Sequence, residues 1–244
     1  MKFTVLTLFP ELFEHIEDYS ILGRAIKDDR IQLETVNIRD FSENKHKKVD
    51  DYPFGGGPGM LMTPQPLADA IEASRSEKSY TVYLSPRGTM LTQKKLEKLS
   101  QKEHLVLVNG HYEGIDERII EHYIDEEISI GDYILSGGEF GSLVILDGVS
   151  RLVDGVLSNE DSSKSESHSD YLLEYSQYTR PRNFRGFEVP EVLLSGDHKA
   201  IEEFKRKDAL KQTLIKRPDL LERADLTDKD LNYLRELKQS HKEA

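Results

Sequence analysis

Apolar residues follow two rhythms along this chain. KFTVLTLF (2–9), IQLETVNI (31–38), YTVYLS (80–85), HLVLVN (104–109) and EEISIG (126–131) are short runs rich in Val, Ile, Leu, Thr and Tyr, which read as strands. Between them the spacing lengthens to that of helices. PELFEHIEDYSILGRAIK (10–27) opens with Pro10 and predicts one helix, and Thr63 with Pro64 opens another over TPQPLADAIEASR. Thr92 caps a third, TQKKLEKLS, and Ser136-Gly137-Gly138-Glu139 has capping-box spacing ahead of the apolar run 143–146. Strands alternating with helices through short connections predict an α/β fold, a parallel sheet with helices on both faces. No repeat recurs at a fixed period.

The rhythm stops at GVLSNEDSSKSESHSD (155–170), where six serines and many charges replace the apolar positions. This segment reads as a linker. Beyond it, after the extended stretch QYTRPRNFRGFEVPEVLLSG, the pattern is helical throughout: IEEFKRKDALKQTLIKR (201–217), PDLLERA (218–224) and LTDKDLNYLRELKQ (226–239). The expected organisation is an α/β domain over 1–158, a flexible linker over 159–170 and a small all-helical domain over 171–244.

Composition narrows the chemistry. No apolar run approaches the length needed to cross a bilayer, and MKFTVLTLFPELF begins as a strand rather than as a targeting segment, so a cytoplasmic protein with no membrane partner is expected. There are no cysteines, and the eight histidines show no paired ligand spacing, which excludes disulfides, thiolate zinc and cysteine nucleophiles and argues against a histidine-bound metal. The net charge of -12 argues against non-specific coating of nucleic acid. Its distribution argues for local contact. Residues 171–217 carry ten Lys/Arg against seven Asp/Glu, whereas 1–170 carry eighteen against thirty-one. TRPRNFR (179–185) and FKRKDALKQTLIKR (204–217) hold most of the basic charge of 171–217, and Lys45-His46-Lys47-Lys48 adds a third cluster, as if a polyanion were gripped at a few places.

Glycine marks the candidate site. DDYPFGGGPGM (50–60) fits neither a nucleotide-triphosphate loop nor a dinucleotide fingerprint. SPRG (85–88), NGHYEG (109–114) and GDYILSGGE (131–139) each follow a predicted strand, and in a parallel sheet such loops emerge at the same edge, where ligands collect. Backbone amides with few fixed charges suit a flat, polar, nearly neutral ligand better than a triphosphate.

IGDYILSGGE (130–139), GHYEGIDERI (110–119), YPFGGGPGM (52–60) and QYTRP (177–181) together resemble the motif set of bacterial tRNA (guanine-37-N1) methyltransferases, the TrmD type within the SPOUT superfamily. The likeness runs from TLFPELF near the start to KRPDLL near the end. It implies a deep trefoil knot in the α/β domain, a homodimer, S-adenosylmethionine as methyl donor, and transfer to N1 of the guanosine at position 37 of tRNA. Carried over residue by residue, the cofactor site would comprise Tyr83, Leu84, Ser85, Pro86, Gly110, Tyr112, Glu113, Ile130, Gly131, Asp132, Tyr133, Ile134, Leu135, Gly137 and Gly138. Phe54, Gly55, Gly56, Gly57 and Gly59 would flank a flipped guanine, with Arg180 and Arg182 on the RNA. Arg151 would stabilise charge on guanine O6. Magnesium is implicated beside Glu113, where a single carboxylate is in view.

The linker departs from the family pattern. Where relatives read Asp-Ser-Phe-x-x-Gly-Leu-Leu, this chain has Glu166-Ser167-His168-Ser169-Asp170-Tyr171-Leu172-Leu173, and Ser176 replaces a proline. Glu166 stands where the family places its catalytic aspartate, and Asp170 competes for the role of general base. These departures raise a second reading, a SPOUT-type protein that binds RNA or S-adenosylmethionine with lost or altered catalysis. A small-molecule nucleotide enzyme would leave the basic helical domain without a purpose.

Overall fold

A computed structural model describes residues 1–157 and 171–240. The chain divides into two compact units, Met1–Ser158 and Asn159–Ala244.

In the first unit, strand β1 (Lys2–Thr7) leads to helix α1 (Ser20–Lys27) and strand β2 (Gln32–Asn37). A small antiparallel hairpin, β3 (Asp50–Asp51) with β4 (Leu61–Met62), precedes helix α2 (Pro64–Ser74). Then come β5 (Ser79–Met90), α3 (Gln93–Ser100), β6 (His104–Asn109), α4 (Glu117–Tyr123), β7 (Glu126–Ser129) and α5 (Glu139–Ser150). Five strands form one sheet in the order β2-β1-β6-β5-β7, and every pairing is parallel. Parallel strands buried on both faces read as near-continuous apolar runs, and HLVLVN is the clearest case: all six residues of β6 are buried. Side-chain alternation sorts them. Leu105 and Leu107 pack with Phe3, Val5 and Ile145 on one face, while Val106 and Val108 pack with Leu6, Met62 and Leu67 on the other.

Three local expectations are corrected. Residues 10–27 are not one helix: 3-10 turns Pro10–Leu12 and Ile16–Asp18 precede α1, and the chain resets at Ser20, where φ is +48°. The reset lays α1 against the second turn so closely that a Cβ on Gly23 would meet the Glu17 carbonyl oxygen at 2.5 Å. SPRG is not a loop beyond a strand. β5 runs on to Met90, and Leu84 and Thr89 both face Ile128, so residues 85–88 bulge out of the ladder. The third concerns Ser136, which is not a cap. α5 starts at Glu139 after Gly138, without a side-chain capping bond, because the Glu139 carboxylate is used elsewhere. Thr92 does cap α3, accepting from the Lys95 amide.

In the second unit, strands β8 (Asn183–Phe184) and β9 (Phe187–Glu188) form a hairpin inside the stretch predicted as extended. Helices α6 (His198–Lys216) and α7 (Asp228–Ser240) follow, separated by the 3-10 turn Pro218–Glu222. Asp197 caps α6 by accepting from the Lys199 and Ala200 amides. Leu172, Leu210 and Leu234 form the core. Arg206 fixes α6 to α7 by pairing at 2.9 Å with Asp230, which is buried. Among the described residues, no helix is long and apolar enough to cross a membrane.

Candidate active site

At the carboxyl ends of β5, β6 and β7 the first unit encloses a cavity of about 510 Å³, within the usual range for small-ligand sites. Paired β5 residues supply Tyr83 and Leu84, and the bulge after them Ser85 and Pro86; the loop after β6 supplies Gly110, Tyr112 and Glu113; the loop after β7 supplies Ile130, Gly131, Tyr133, Ile134, Leu135, Gly137 and Gly138. Only Asp132 of the predicted cofactor residues stands outside the lining, exposed to solvent. Arg87 and Glu117, not among the predicted cofactor residues, also line it and pair with each other at 3.1 Å.

The glycines serve the loops before they serve a ligand. The loop after β7 returns across β5 to the end of β6, where the Gly138 amide donates to the Gly110 carbonyl at 3.1 Å and His111 bridges Gly137. A Cβ on Gly138 would lie 2.9 Å from Asn109 Cα, one on Gly110 would lie 2.8 Å from the Tyr83 hydroxyl, and one on Gly137 would run into the His111 ring. Side chains are missing because backbone packs on its neighbours. Tyr112, at the cavity edge, holds a left-handed φ of +60°, the kind of strain that surrounding structure must enforce.

Sequence reasoning missed the polar cluster below these loops. Glu139, only 4% exposed, accepts the Thr7 hydroxyl at 2.6 Å and faces His111 Nε2 with both oxygens at 2.8 Å. Next to it the buried Asn109 side chain donates to the Leu6 carbonyl and accepts from Ser142. Both groups join the ends of β1 and β6 to α5. The signal was present in SGGE, but helix-start spacing offered a simpler use for the glutamate. Tyr83 is held neutral: burial first, and then the nearby Glu127 carboxylate, push its phenol up to about 12.

The hairpin loop between β3 and β4 hangs beside the cavity. Gly55, Gly56, Gly57 and Gly59 have φ of +86°, +79°, +130° and +80°, so the backbone itself requires glycine there. The first three have nothing within 4 Å of a would-be Cβ, and Phe54 is wholly exposed. Gly59 instead abuts the Glu113 side chain, and the Glu113 amide donates to the Met60 carbonyl at 3.0 Å. This contact anchors the open loop to the cavity wall.

Arg151 follows the last residue of α5, its amide donating to the Asp147 carbonyl. Glu166 and Asp170 lie outside the described residues. In the second unit Arg180 and Arg182 are exposed, and Arg182 pairs with Glu191 at 3.1 Å. Among the described residues, no three His, Cys, Asp or Glu side chains gather as a metal cage.

Comparison with known proteins bears on this geometry. Residues 1–223 match the model of the family described as tRNA (Guanine-1)-methyltransferase TrmD. A tRNA (guanine-N(1)-)-methyltransferase of Caldanaerobacter subterraneus is 57% identical over 237 residues, covering 97% of this chain and 98% of the relative. Proteins of the same name from Ruminiclostridium cellulolyticum and Halalkalibacterium halodurans are 57% and 52% identical, covering 90% and 96% of this chain and 96% of each relative. The chain belongs to the TrmD family of tRNA (guanine-1)-methyltransferases.

Proposed function

We propose that this protein transfers a methyl group from S-adenosylmethionine to N1 of the guanosine at position 37 of tRNA, beside the anticodon. One observation carries the reading: a cavity walled by backbone and apolar side chains at the strand ends, with an open glycine loop anchored to its rim through Gly59 and Glu113, in a chain of this family. The lining fits the cofactor. Its volume suits a nucleoside with a short side chain, and its walls carry few charges, with Arg87 and Glu117 neutralising each other. Glu113, which forms no ion pair among the described residues, would face the methionine end.

When bound, the sulfonium supplies a methyl group already activated for transfer. The chain's task is positioning: holding donor and acceptor about 3–3.5 Å apart and in line supplies much of the rate. The Gly55–Gly57 segment leaves room for a flipped base. Guanine N1 carries a proton at neutral pH, so a carboxylate must take it; Glu166 has the family's position for that base, with Asp170 as competitor. Arg151 would offset negative charge on O6. Glu113 offers a single carboxylate, the fewest that a hydrated magnesium ion takes, and no step above uses a metal.

The same proposal includes a homodimer, a knotted chain and a cytoplasmic setting. Exposed Phe140 and Val144 on α5 support a second copy against that helix, and the return of the 130–138 loop across β5 supports the threading. Arg180 and Arg182 would contact tRNA phosphates. The test is transfer of labelled methyl from S-adenosylmethionine to unmodified tRNA. Incorporation is expected; binding of both ligands without incorporation would favour the non-catalytic reading.

A further inference from the structure

The structure points to a second RNA contact with a different chemistry. We propose that the β8–β9 hairpin is a stacking platform, on which Phe184 and Phe187 receive an unpaired base of the bound RNA. The inference rests on the proposed tRNA function and extends it to a contact with bases rather than phosphates.

The hairpin is built to present these two rings. Arg185 and Gly186 at its tip have φ of +56° and +90°, the paired left-handed conformation of a two-residue turn that matches strand twist. Asn183 locks the tip by accepting the Gly186 amide at 3.0 Å, and the Val189 amide closes the base on the Arg182 carbonyl at 3.0 Å. Phe184 and Phe187 therefore stand directly opposite each other across the ladder. Cross-strand aromatics normally earn their place by burial. These are 58% and 78% exposed, and nothing lies within 4 Å of the tip glycine's missing side chain.

Charge says what would cover them. The Arg185 guanidinium lies 5.2 Å from the Phe184 ring centre, and Arg180 and Arg182 precede the hairpin. Glu188 is the only acidic residue between 179 and 189. Arg180 and Arg185 form no ion pair among the described residues. Exposed aromatic faces interleaved with arginine suit a ligand that is anionic along its backbone and flat at its bases, because every base has a face that can stack on a protein ring. A protein partner would need apolar surface around the two rings, and beside Phe184 lies the Arg185 guanidinium instead.

The test uses the full-length protein and a tRNA transcript. Phe184→Ala with Phe187→Ala should lower tRNA affinity about tenfold or more, leave S-adenosylmethionine binding intact, and leave the slope of log Kd against log salt unchanged, since no charge is removed. Phe184→Trp with Phe187→Trp should restore affinity. Abasic nucleotides placed through the anticodon loop should abolish the difference between wild type and the alanine variant. Equal tRNA affinity in the alanine variant overturns the platform alone, as does a deficit that persists with the abasic loop. A variant that changes the oligomeric state marks the face as a protein interface and also overturns it. A wild-type protein that holds no tRNA overturns the underlying function too.

Discussion

Both carboxylate oxygens of Glu139 lie 2.8 Å from Nε2 of His111, and Oε1 also accepts the Thr7 hydroxyl at 2.6 Å. This buried carboxylate joins the ends of two central strands to the first residue of α5, directly under the loops that wall the cavity. Removing it strands a hydroxyl and an imidazole, each at roughly 1–3 kcal/mol. Glu139→Ala should therefore lower unfolding free energy by a few kcal/mol, while Glu139→Gln, which keeps shape and one acceptor, should cost less. Denaturant titration reads this directly. Calorimetry should show weaker S-adenosylmethionine binding in the alanine variant.

Glycine substitutions should separate the two loops. Gly138→Ala drives a methyl toward Asn109 Cα, a backbone atom that cannot move aside, so cofactor binding should fall sharply. Gly56→Ala meets open space but a φ of +79°, a strain of about 1–2 kcal/mol. It should spare cofactor binding and reduce methyl transfer to RNA. Two calorimetric titrations and one activity assay distinguish them, and equal loss of cofactor binding in both variants would contradict the division of labour.

Tyr83 gives a pH signature. Its phenol is pushed up to about 12 in the folded protein, whereas the unfolded chain ionises near 10. Between those values the unfolded state has released a proton that the folded state keeps, so stability falls as pH rises. Below about pH 10 the effect is absent. Tyr83→Phe should flatten the alkaline fall in the denaturant midpoint relative to wild type.

Much of this was legible in the sequence, for physical reasons that differ by element. β6 is buried on both faces, so HLVLVN could hardly be anything but a central strand. The loops converge because strand order and parallel direction put them at one edge, and their motifs are contiguous. Three features escaped. Residues 10–27 have a helical pattern, yet their path is set by α1 packing on its own preceding turn, a contact that Gly23 permits and no local pattern announces. The β5 bulge depends on pairing with β7, which lies more than 35 residues away. Glu139 was assigned to a cap because its true partners, Thr7 and His111, are distant in sequence.

The proposed general base, Glu166, belongs to the segment predicted as a linker. Glutamate reaches one methylene further than aspartate and has a similar ordinary pKa, about 4.3 against 3.9, so it can take the guanine N1 proton from a slightly withdrawn backbone. Glu166→Gln should slow single-turnover methylation at least roughly a hundredfold with tRNA affinity nearly intact, and Asp170→Asn should be milder. A fast Glu166→Gln enzyme beside an inactive Asp170→Asn enzyme would move the role to Asp170; two fast enzymes would put the base outside the linker.

The most direct measurement is nucleoside analysis of tRNA after reaction with S-adenosylmethionine, using transcripts that differ only at position 37. Guanosine at that position should yield 1-methylguanosine there and nowhere else, and any other base should yield none. Methylation that persists without a guanosine at position 37, or a guanosine-37 transcript that stays unmodified while both ligands bind, would contradict the proposed reaction.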